Sequence, residues 1–206
     1  MSQHPLQFKG NALARWVLAL LGWKVVFNGL PGPRGVIAVY PHTSNWDYLL
    51  GLFAKWSLGI PARYWGKDSL FKIPLIGRFM YWTGGIPVNR TSKTGMVTDT
   101  VNAMREASFF WFGVAPEGTR KRIAGWRSGF YRVACGAGVP ICMTYFDYPS
   151  KTINLTHFFT PTGDEEADFA FMASVLKGKL GLKPGNMSPI VLLDDKVARD
   201  KFLTNS

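Results

Sequence analysis

A histidine and an aspartate five residues apart, His42 and Asp47, are the side chains of this sequence best suited to proton transfer. A carboxylate bonded to one imidazole nitrogen fixes the tautomer of the ring, so the other nitrogen can accept a proton from a substrate hydroxyl. On a straight helix, five residues turn two side chains about 140° apart. The pair therefore predicts a general base, provided that His42 precedes a helix and Asp47 lies in its first turn.

The residues around this pair predict a junction between a strand and a helix. The apolar, β-branched run 36–40 is typical of a buried strand, and the largely apolar run 48–56 is typical of a helix. Pro41 would end the strand, and the polar residues 43–45 are good helix N-caps. Open backbone N–H groups and the positive end of the helix dipole would favour chemistry on an anion here. A histidine that is merely capped by a nearby aspartate is the alternative.

Apolar runs with strand-like and helix-like periods alternate along the rest of the chain. This alternation predicts an α/β fold: a single domain with a largely parallel sheet flanked by helices, plus an N-terminal amphipathic helix. The apolar segment 69–82 is interrupted by Pro74, which predicts two short helices whose basic side faces lipid. The predicted strands are residues 23–28, 36–40, 60–67, 84–90, 109–114, 139–145, 153–159 and 188–192, and the other predicted helices are residues 11–22, 48–56, 95–108, 129–137 and 164–177.

The composition indicates a globular protein with an anionic partner. A hydrophobic content of 47% excludes disorder, and an aromatic content of 15% favours a boundary between apolar and polar surroundings. Residues 1–160 contain 18 Lys and Arg against 6 Asp and Glu, whereas residues 161–206 contain 6 against 7. A basic body suits nucleic acid, an anionic membrane or a phosphorylated substrate. Cys135 and Cys142 lack the spacing of metal ligands, which predicts two buried free thiols and no metal site.

The N-terminal segment 11–22 is the most apolar stretch near the start of the chain. It is shorter than the ~20 apolar residues of a membrane span and contains Arg15. With Lys9 and Lys24 on either side, it predicts an amphipathic helix that lies in a membrane surface. A helix packed on the domain's own core is the alternative.

Four blocks, in this order along the chain, resemble those of the glycerolipid acyltransferases, the family of the lysophosphatidate and glycerol-phosphate acyltransferases. The resemblance spans about residues 36–145, and Pro-Glu-Gly-Thr-Arg is its most specific part. It implies transfer of a fatty acyl group from acyl-CoA or acyl carrier protein to a hydroxyl of a lysophospholipid, with 1-acyl-glycerol-3-phosphate as the first candidate acceptor. The blocks are His42-xxxx-Asp47, residues 84–90, residues 116–120 and residues 139–141.

The resemblance also implies roles for individual residues. His42 would be the general base on the acceptor hydroxyl, and Asp47 would orient the imidazole. Arg90 and Arg120 would bind the acceptor phosphate. No metal or redox cofactor would be needed. The substrate-binding residues implied are Arg90, Glu117, Gly118, Thr119 and Arg120.

The basic charge, the tryptophan content and the segment 11–22 predict contact with a membrane, and together with the resemblance they predict how the chain is arranged. Residues 1–28 would form a membrane-surface helix and a lead-in strand, and residues 29–206 would form the acyltransferase domain. The protein would act peripherally on the cytoplasmic side of an anionic membrane. Its expected partners are the lysophospholipid acceptor and the acyl thioester donor, with acyl carrier protein as one form of that donor, and nucleic acid is not expected.

Two other functions are compatible with the sequence. Pro41, Pro87, Ala115 and Lys121 depart from the usual family pattern, so an acyltransferase acting on a lyso-aminolipid without a phosphate is one alternative. A basic nucleic-acid-binding module is the other, and the charge of the body favours it. Against that module, the aromatic residues lie in apolar runs, and no helix-turn-helix or RNP pattern is present.

Overall fold

The structure, a computed structural model, describes residues 5–88 and 93–193, in which one sheet lies between two layers of helices. The strands are β1 (Lys24–Phe27), β2 (Arg34–Tyr40), β3 (Arg63–Lys67), β4 (Gly85–Val88), β5 (Phe110–Val114), β6 (Ile141–Asp147) and β7 (Thr152–Phe159). The helices are α1 (Ala12–Leu20), α2 (Trp46–Leu58), α3 (Asp68–Phe71), α4 (Pro74–Trp82), α5 (Lys93–Glu106), α6 (Gly129–Ala137) and α7 (Glu165–Leu176), followed by a 3₁₀ turn at Pro184–Asn186.

The strands are arranged in the order β1–β7–β6–β2–β5–β3–β4. Neighbouring strands run parallel except β6 and β7, which pair antiparallel, so the predicted α/β fold with a largely parallel sheet is confirmed. Tyr40, at the end of β2, lies beside Tyr145 of β6, and Ala38 lies beside Val114 of β5. Ligand sites in parallel sheets lie beyond the carboxyl ends of the strands, which here brings together the loops after β2, β5 and β6.

The alternation of side chains along β2 divides the core between the two faces of the sheet. Val36 and Ala38 point to one face, where they pack with buried residues of α5, α6 and α7. Ile37 points to the other face, where it joins Leu18 of α1 and Leu50 of α2. Both faces of this central strand are therefore buried, as expected for a parallel sheet covered by helices.

Helix α4 lies on the same face of the sheet as α2. The Tyr64 hydroxyl, from β3, lies 2.7 Å from the Tyr48 hydroxyl of α2 and donates to the Met80 carbonyl oxygen of α4 at 3.3 Å. The next side chain along β3, Trp65, packs instead against the core on the opposite face. One layer therefore consists of α1, α2 and α4, and the other consists of α5, α6 and α7.

Helix α2 is longer than the predicted run 48–56 and includes Asp47 in its first turn. Asn45 is its N-cap residue but makes no side-chain cap bond, and Ser44 Oγ instead accepts a hydrogen bond from the Trp46 N–H at 3.2 Å. At the other end, Gly59 has a φ of 72°, which glycine adopts without the steric cost of a Cβ atom. Because α2 begins at Trp46, only five residues separate it from the end of β2, and Asp47 lies next to the turn between them.

The N-terminal segment is attached to this fold through both of its elements. Helix α1 buries Ala14 and Leu18, and strand β1 pairs with β7 at the edge of the sheet. Leu13, Trp16 and Leu20 of α1 are exposed, and Val17 is partly buried. None of the helices within residues 5–88 and 93–193 combines the length and apolarity needed to cross a bilayer.

The prediction of a strand at residues 188–192 is wrong. This segment makes only an isolated parallel bridge between Trp126 and Leu192. Pro189 has no N–H to donate to a neighbouring strand, which explains why the pairing does not extend. The segment instead lies at the carboxyl edge of the sheet, where it contacts the last residue of β2 and the loop that follows β5.

Candidate active site

His42 and Asp47 meet at the carboxyl edge of β2. Strand β2 ends at Tyr40, His42 lies in the turn that follows, and Asp47 is the second residue of α2. The chain therefore turns between the two side chains, as their pairing requires. His42 Nδ1 lies 3.4 Å from Asp47 Oδ2, and the two side chains are 20% and 1% exposed, respectively. The imidazole is thus accessible from one side, whereas its carboxylate partner is buried.

The Asp47 carboxylate is fixed by several donors. Its Oδ2 accepts hydrogen bonds from the backbone N–H groups of Thr43 and Ser44, both at 2.8 Å, and its Oδ1 accepts one from the Tyr148 hydroxyl at 2.6 Å. Burial alone would raise the pKa of Asp47, but the hydrogen bonds, led by those of His42 and Tyr148, outweigh burial and lower the pKa below 3.8. Asp47 is therefore ionised at neutral pH, the form that stabilises an imidazolium.

The backbone N–H groups of the turn are already paired within the protein. Those of Thr43 and Ser44 donate to Asp47. That of His42 donates to Glu117. The expectation that the N–H groups before the helix are open to an anion is therefore wrong for these three residues. Their hydrogen bonds hold the His42–Asp47 pair in place instead.

Glu117 lies behind this pair and is not among the residues that line the cleft. Its carboxylate is fully buried; Oε2 accepts a hydrogen bond from the His42 N–H at 2.7 Å, and Oε1 accepts one from the Ser188 N–H at 3.0 Å. Burial raises the pKa of this carboxyl, although both N–H groups act in the opposite direction. These hydrogen bonds tie Glu117 to the backbone of His42, and the substrate-binding role that the resemblance implies for it stays a prediction.

Ser188 connects the C-terminal segment to the site. Its carbonyl oxygen accepts a hydrogen bond from the Tyr40 hydroxyl at 3.3 Å, and its Oγ accepts one from the Ile123 N–H at 3.1 Å. Burial and the nearby Glu117 charge raise the pKa of Tyr40 to about 12, so its hydroxyl stays protonated and can donate. The end of β2, the loop after β5 and the C-terminal segment therefore meet at one buried serine.

A cleft of about 1480 Å³ opens beside the pair and is lined by both His42 and Asp47. Pockets for small ligands typically measure about 300–1,000 Å³, so this volume suits a longer ligand. The inner wall of the cleft is apolar and belongs to the face of the sheet covered by α1 and α2. Its residues include Ile37, Ile60, Phe146, Ile153 and Leu155.

The Pro-Glu-Gly-Thr-Arg block supplies a polar wall of the same cleft. Gly118, Thr119 and Arg120 all line it, and Arg120 is exposed. Gly118 has a φ of 64°, and a Cβ atom at this position would lie 2.8 Å from Arg127 Nε, so only glycine lets the Arg127 side chain pass this close. Arg127 also lines the cleft. Arg90, the other arginine implied for phosphate binding, lies outside the described residues.

A polar cluster lies between α2 and α4 in the otherwise apolar part of the cleft. Tyr64 Oη lies 2.7 Å from both Tyr48 Oη and Thr83 Oγ1. Lys55 Nζ donates to the Thr83 carbonyl oxygen, and desolvation lowers the pKa of this lysine. Lys55 lines both the main cleft and a neighbouring pocket of about 450 Å³. The Lys55 side chain therefore lies between the two cavities.

The motifs of the sequence do not reveal Tyr148, Ser188 or Lys55. Tyr148 reaches Asp47 from 101 positions further along the chain, and its ring packs edge-on against Trp23 with a centroid separation of 4.9 Å. The available signal is its place just beyond the predicted strand 139–145, because parallel strands end at the same edge of a sheet. That signal predicts the neighbourhood of Tyr148 but not its hydrogen bond.

The described part of the chain holds no group of three or more His, Cys, Asp or Glu side chains placed to bind a metal ion. Cys135 and Cys142 are free thiols; Cys142 is buried as predicted, but Cys135 is exposed on α6, contrary to the prediction. Burial raises the pKa of the Cys142 thiol to about 12, which keeps it protonated and unreactive.

Comparison with known proteins gives a match to the family described as Acyltransferase over residues 25–146. The chain is 32% identical over 127 residues to the 1-acyl-sn-glycerol-3-phosphate acyltransferase of Escherichia coli K12, covering 58% of this chain and 49% of that protein. It is 31% identical over 150 residues to the chloroplastic 1-acyl-sn-glycerol-3-phosphate acyltransferase LPAT1 of Arabidopsis thaliana, covering 69% of this chain and 39% of that protein. The chain thus spans half or less of the length of these relatives.

Among solved structures, the fold is similar to that of the 1-acyl-sn-glycerophosphate acyltransferase PlsC from Thermotoga maritima. The TM-score is 0.53 at 20% sequence identity, over 80% of this chain and 73% of that chain. At this identity the likeness establishes a common fold, which agrees with the sheet and helical layers described above.

Proposed function

Because the chain belongs to the acyltransferase family, we propose that it transfers a fatty acyl group from an acyl thioester to a hydroxyl of a lysophospholipid. The observation that carries this proposal is the His42–Asp47 pair in a cleft that has an apolar wall and a cationic wall. A proton acceptor in such a cleft suits a reaction between one apolar chain and one charged head group. No cofactor beyond the thioester is part of the proposal.

In the proposed reaction, His42 is the general base. Asp47 engages Nδ1, which leaves Nε2 to accept the proton of the acceptor hydroxyl. The hydroxyl oxygen forms a bond to the thioester carbonyl carbon, the tetrahedral intermediate collapses, and the C–S bond breaks. The imidazolium then returns its proton to the departing thiolate, so the products are an ester and a thiol. Both acyl-CoA and acyl carrier protein present this thioester.

For the acceptor, we propose 1-acyl-glycerol-3-phosphate. The curated relatives are named for acylation of this lipid. In this chain, Arg120 and Arg127 line the cleft on the side of the Pro-Glu-Gly-Thr-Arg block. The planar guanidinium group donates two parallel hydrogen bonds to a phosphate, which makes these arginines suitable ligands for the head group.

A direct assay tests the general-base role of His42. Purified protein is incubated with labelled acyl-CoA or acyl carrier protein and a panel of lysolipids with and without a phosphate. We expect His42→Ala to lower turnover about 10²–10⁴-fold, the usual contribution of a general base. His157→Ala, at an exposed histidine of β7, is the matched control and should leave turnover unchanged. Near wild-type turnover of folded His42→Ala would refute the assignment.

A second assay tests the phosphate-bearing acceptor. We expect Arg120→Ala to raise the acceptor KM about tenfold or more while the thioester KM stays near its wild-type value, because one charged hydrogen bond contributes about 1.5–3 kcal/mol. Arg105→Ala removes the same charge from α5 and should change neither KM. Faster acylation of a lyso-aminolipid without a phosphate, insensitive to Arg120→Ala, would favour the alternative acceptor instead.

We also propose peripheral attachment to an anionic membrane on its cytoplasmic side. In this proposal, residues 1–28 provide a membrane-surface helix, and residues 29–206 form the acyltransferase domain. Exposed Leu13 and Leu20 lie on α1, near the exposed Arg15, and a mixture of apolar and basic side chains suits the head-group region of a bilayer. Leu13→Ser/Leu20→Ser should sediment less with anionic vesicles than wild type, and equal sedimentation would contradict this role of α1.

A further inference from the structure

Residues 188–193, which we call the strap, lie against the loop 123–127 that precedes α6. The Trp126 N–H donates to the Val191 carbonyl oxygen at 2.7 Å, and the Leu193 N–H donates to the Trp126 carbonyl oxygen at 2.8 Å. Trp126 is fully buried, and buried backbone groups rarely lack hydrogen-bond partners. The strap therefore satisfies both backbone groups of the residue at the centre of this contact.

Gly125 lets the strap approach the loop this closely. A Cβ atom at position 125 would lie 2.6 Å from the Val191 carbonyl oxygen and 3.1 Å from the Leu193 nitrogen. The first distance is a steric clash, and the Val191 oxygen cannot move away without losing its hydrogen bond to Trp126. A side chain at position 125 would therefore separate the strap from the loop.

Ser188, the first residue of the strap, holds the beginning of the loop through its side chain. Its Oγ accepts a hydrogen bond from the Ile123 N–H at 3.1 Å, and the residue is buried. Its backbone faces the catalytic pair instead, where its N–H donates to Glu117 and its carbonyl oxygen accepts from the Tyr40 hydroxyl. The side chain and the backbone of Ser188 therefore have separate partners, so a change of the side chain alone acts on the loop.

The loop ends at Arg127, which lines the cleft as a proposed ligand of the acceptor phosphate. Its N–H donates to the Pro116 carbonyl oxygen at 2.9 Å, and the preceding Trp126 ring packs on Tyr40 with a centroid separation of 5.3 Å. The Arg127 side chain is exposed and passes Gly118, where a Cβ atom would lie 2.8 Å from its Nε. The direction of the guanidinium is therefore set by the backbone of the loop and by the room at Gly118.

A fixed loop should raise the affinity of Arg127 for a phosphate in two ways. Two parallel hydrogen bonds from a guanidinium are directional, so a change in the course of the backbone weakens them. A loop that is already ordered also avoids an entropy cost on binding. The strap supplies both conditions, because it bonds to the loop at Ile123 and at Trp126. Its effect should therefore appear in acceptor binding and not in proton transfer.

We propose that Ser188 and Gly125 are positioning residues for the acceptor: they keep the strap on the loop, and the loop holds Arg127 where it binds the acceptor phosphate. This inference rests on the proposed function, because it assumes a phosphate at Arg127. Neither Ser188 nor Gly125 lines the cleft, so each acts through Arg127 and not by contact with a substrate.

Ser188→Ala tests the side-chain bond. Alanine keeps the backbone bonds to Glu117 and Tyr40, and only the Ile123 N–H loses its acceptor. We expect the KM for 1-acyl-glycerol-3-phosphate to rise about threefold to tenfold, the factor that one hydrogen bond contributes, while kcat and the thioester KM stay within about twofold of wild type. An unchanged acceptor KM would overturn the role of Ser188.

Ser57→Ala is the matched control, because Ser57 is another buried serine. Its Oγ donates to the Ala54 carbonyl oxygen at 2.8 Å on α2, and the residue does not line the cleft. The variant should leave the KM values of acceptor and thioester unchanged. An equal rise of the acceptor KM in both serine variants would indicate a general effect of lost stability and would overturn the positioning role.

A double-mutant cycle tests whether Ser188 acts through Arg127. Arg127→Ala alone should raise the acceptor KM about tenfold or more, because a charged hydrogen bond is lost. In that background, Ser188→Ala should raise the KM by less than about twofold further, since the group that it positions is absent. The same factor in both backgrounds would mean that Ser188 does not act through Arg127.

Gly125→Ala tests the backbone contact by a measurement that needs no activity. The added methyl group displaces the strap, so the amide hydrogens of Trp126 and Leu193 should exchange about tenfold faster or more. The acceptor KM should rise as in Ser188→Ala, at unchanged kcat. Wild-type exchange rates at both amides would overturn the role of Gly125.

The kinetic and exchange measurements separate this inference from the proposed function. If Arg127→Ala raises the acceptor KM of an active enzyme but Ser188→Ala and Gly125→Ala do not, the positioning role fails and the reaction stands. If wild-type protein acylates no lysolipid while both variants speed amide exchange in the loop, the reaction fails and the attachment of the loop by the strap stands.

Discussion

Helices α5, α6 and α7 present a mostly polar outer surface, whereas α1, α2 and α4 present exposed leucines and aromatic residues. On α7, the exposed positions include Glu165, Glu166 and Ser174, and on α4 they include Leu75 and Trp82. The inner surfaces of the two layers are alike, because each buries apolar side chains against one face of the sheet. The inner sides of the helices are therefore alike because they pack on the sheet, whereas the outer sides of the two layers differ in polarity.

A second comparison concerns a hydrogen bond that occurs on both sides of the molecule. Tyr148 donates to Asp47 at 2.6 Å in the site, and Tyr131 donates to Asp168 at 2.6 Å beside α7. Asp47 also pairs with His42, whereas Asp168 accepts hydrogen bonds from the Thr162 backbone and hydroxyl near the start of α7. The same local bond therefore supports a reactive group on one side and a helix end on the other.

The largest effect is expected at the buried carboxylate of the site. Asp47→Asn should lower acyl transfer about 10³–10⁴-fold, because the imidazole loses the charge that fixes its tautomer. Binding to anionic vesicles should stay within about twofold of wild type, since Asp47 is buried and does not reach the surface. Turnover and sedimentation are measured on the same preparation. Loss of both turnover and vesicle binding would mean that Asp47 stabilises the packing of α1, α2 and α4 rather than supporting the chemistry.

The inner surfaces of the two layers should respond equally to truncation. Leu18→Ala, on α1, and Met104→Ala, on α5, should each lower the free energy of unfolding by about 2–5 kcal/mol, because both side chains are buried. Urea unfolding measures both values. A loss below about 1 kcal/mol for Leu18→Ala alone would show that α1 is a loosely attached segment and would remove it from the comparison.

Loss of a buried acceptor should have a smaller effect. Glu117→Gln replaces one carboxylate oxygen by an NH₂ group, so either the His42 N–H or the Ser188 N–H loses its partner. The free energy of unfolding should fall by about 1–3 kcal/mol, the cost of an unsatisfied buried group. Glu106→Gln, at an exposed position of α5, should change it by less than about 0.5 kcal/mol. Equal unfolding midpoints for the two variants would contradict the positioning role of Glu117.

The smallest effect is expected at Tyr148, and it appears as a pH shift. The Tyr148 hydrogen bond helps to lower the pKa of Asp47 below 3.8. Without this bond the Asp47 charge is less neutralised and stabilises the protonated His42 more strongly, so Tyr148→Phe should move the acid limb of kcat/KM to higher pH. The stabilisation that the bond gives is present above pH 3.8 and is lost as the pH falls through the lowered pKa of the native state.

Tyr131→Phe is the matched control for this prediction. It removes the equivalent bond to Asp168, whose pKa is also lowered, and should reduce stability without moving the pH profile of activity. Burial raises the pKa of Asp168, and hydrogen bonds led by that of Tyr131 lower it further than burial raises it. Identical pH profiles for both variants and wild type would show that Tyr148 does not act through Asp47.

The sequence predicts those parts of the fold that depend on local periodicity. The β-branched run at the end of β2 and the Pro41 that follows place His42 at a strand end, and the order of the blocks places Gly118 and Arg120 at the neighbouring strand end. These predictions succeed because burial on both faces of a parallel strand leaves a continuous apolar run in the sequence.

The sequence does not predict which groups satisfy the buried carboxylates. Glu117 accepts hydrogen bonds from two backbone N–H groups, and its link to Ser188 spans 71 positions. Every residue type except proline carries a backbone N–H. The sequence therefore does not indicate which donors satisfy the buried Glu117 carboxylate. Residues 188–192 fail as a strand for a related reason: their partners are loops at the site, and Pro189 interrupts any ladder.

The short reversal between β6 and β7 connects a tolerant surface turn to the acidity of the site. Residues 148–151 form this turn, which joins the antiparallel pair within the described sheet and begins with the tyrosine that bonds to Asp47. Hairpin turns tolerate changes in length and composition better than the strands that they join. A substitution at Tyr148 can therefore change the acidity of Asp47 without any change in the four motif blocks.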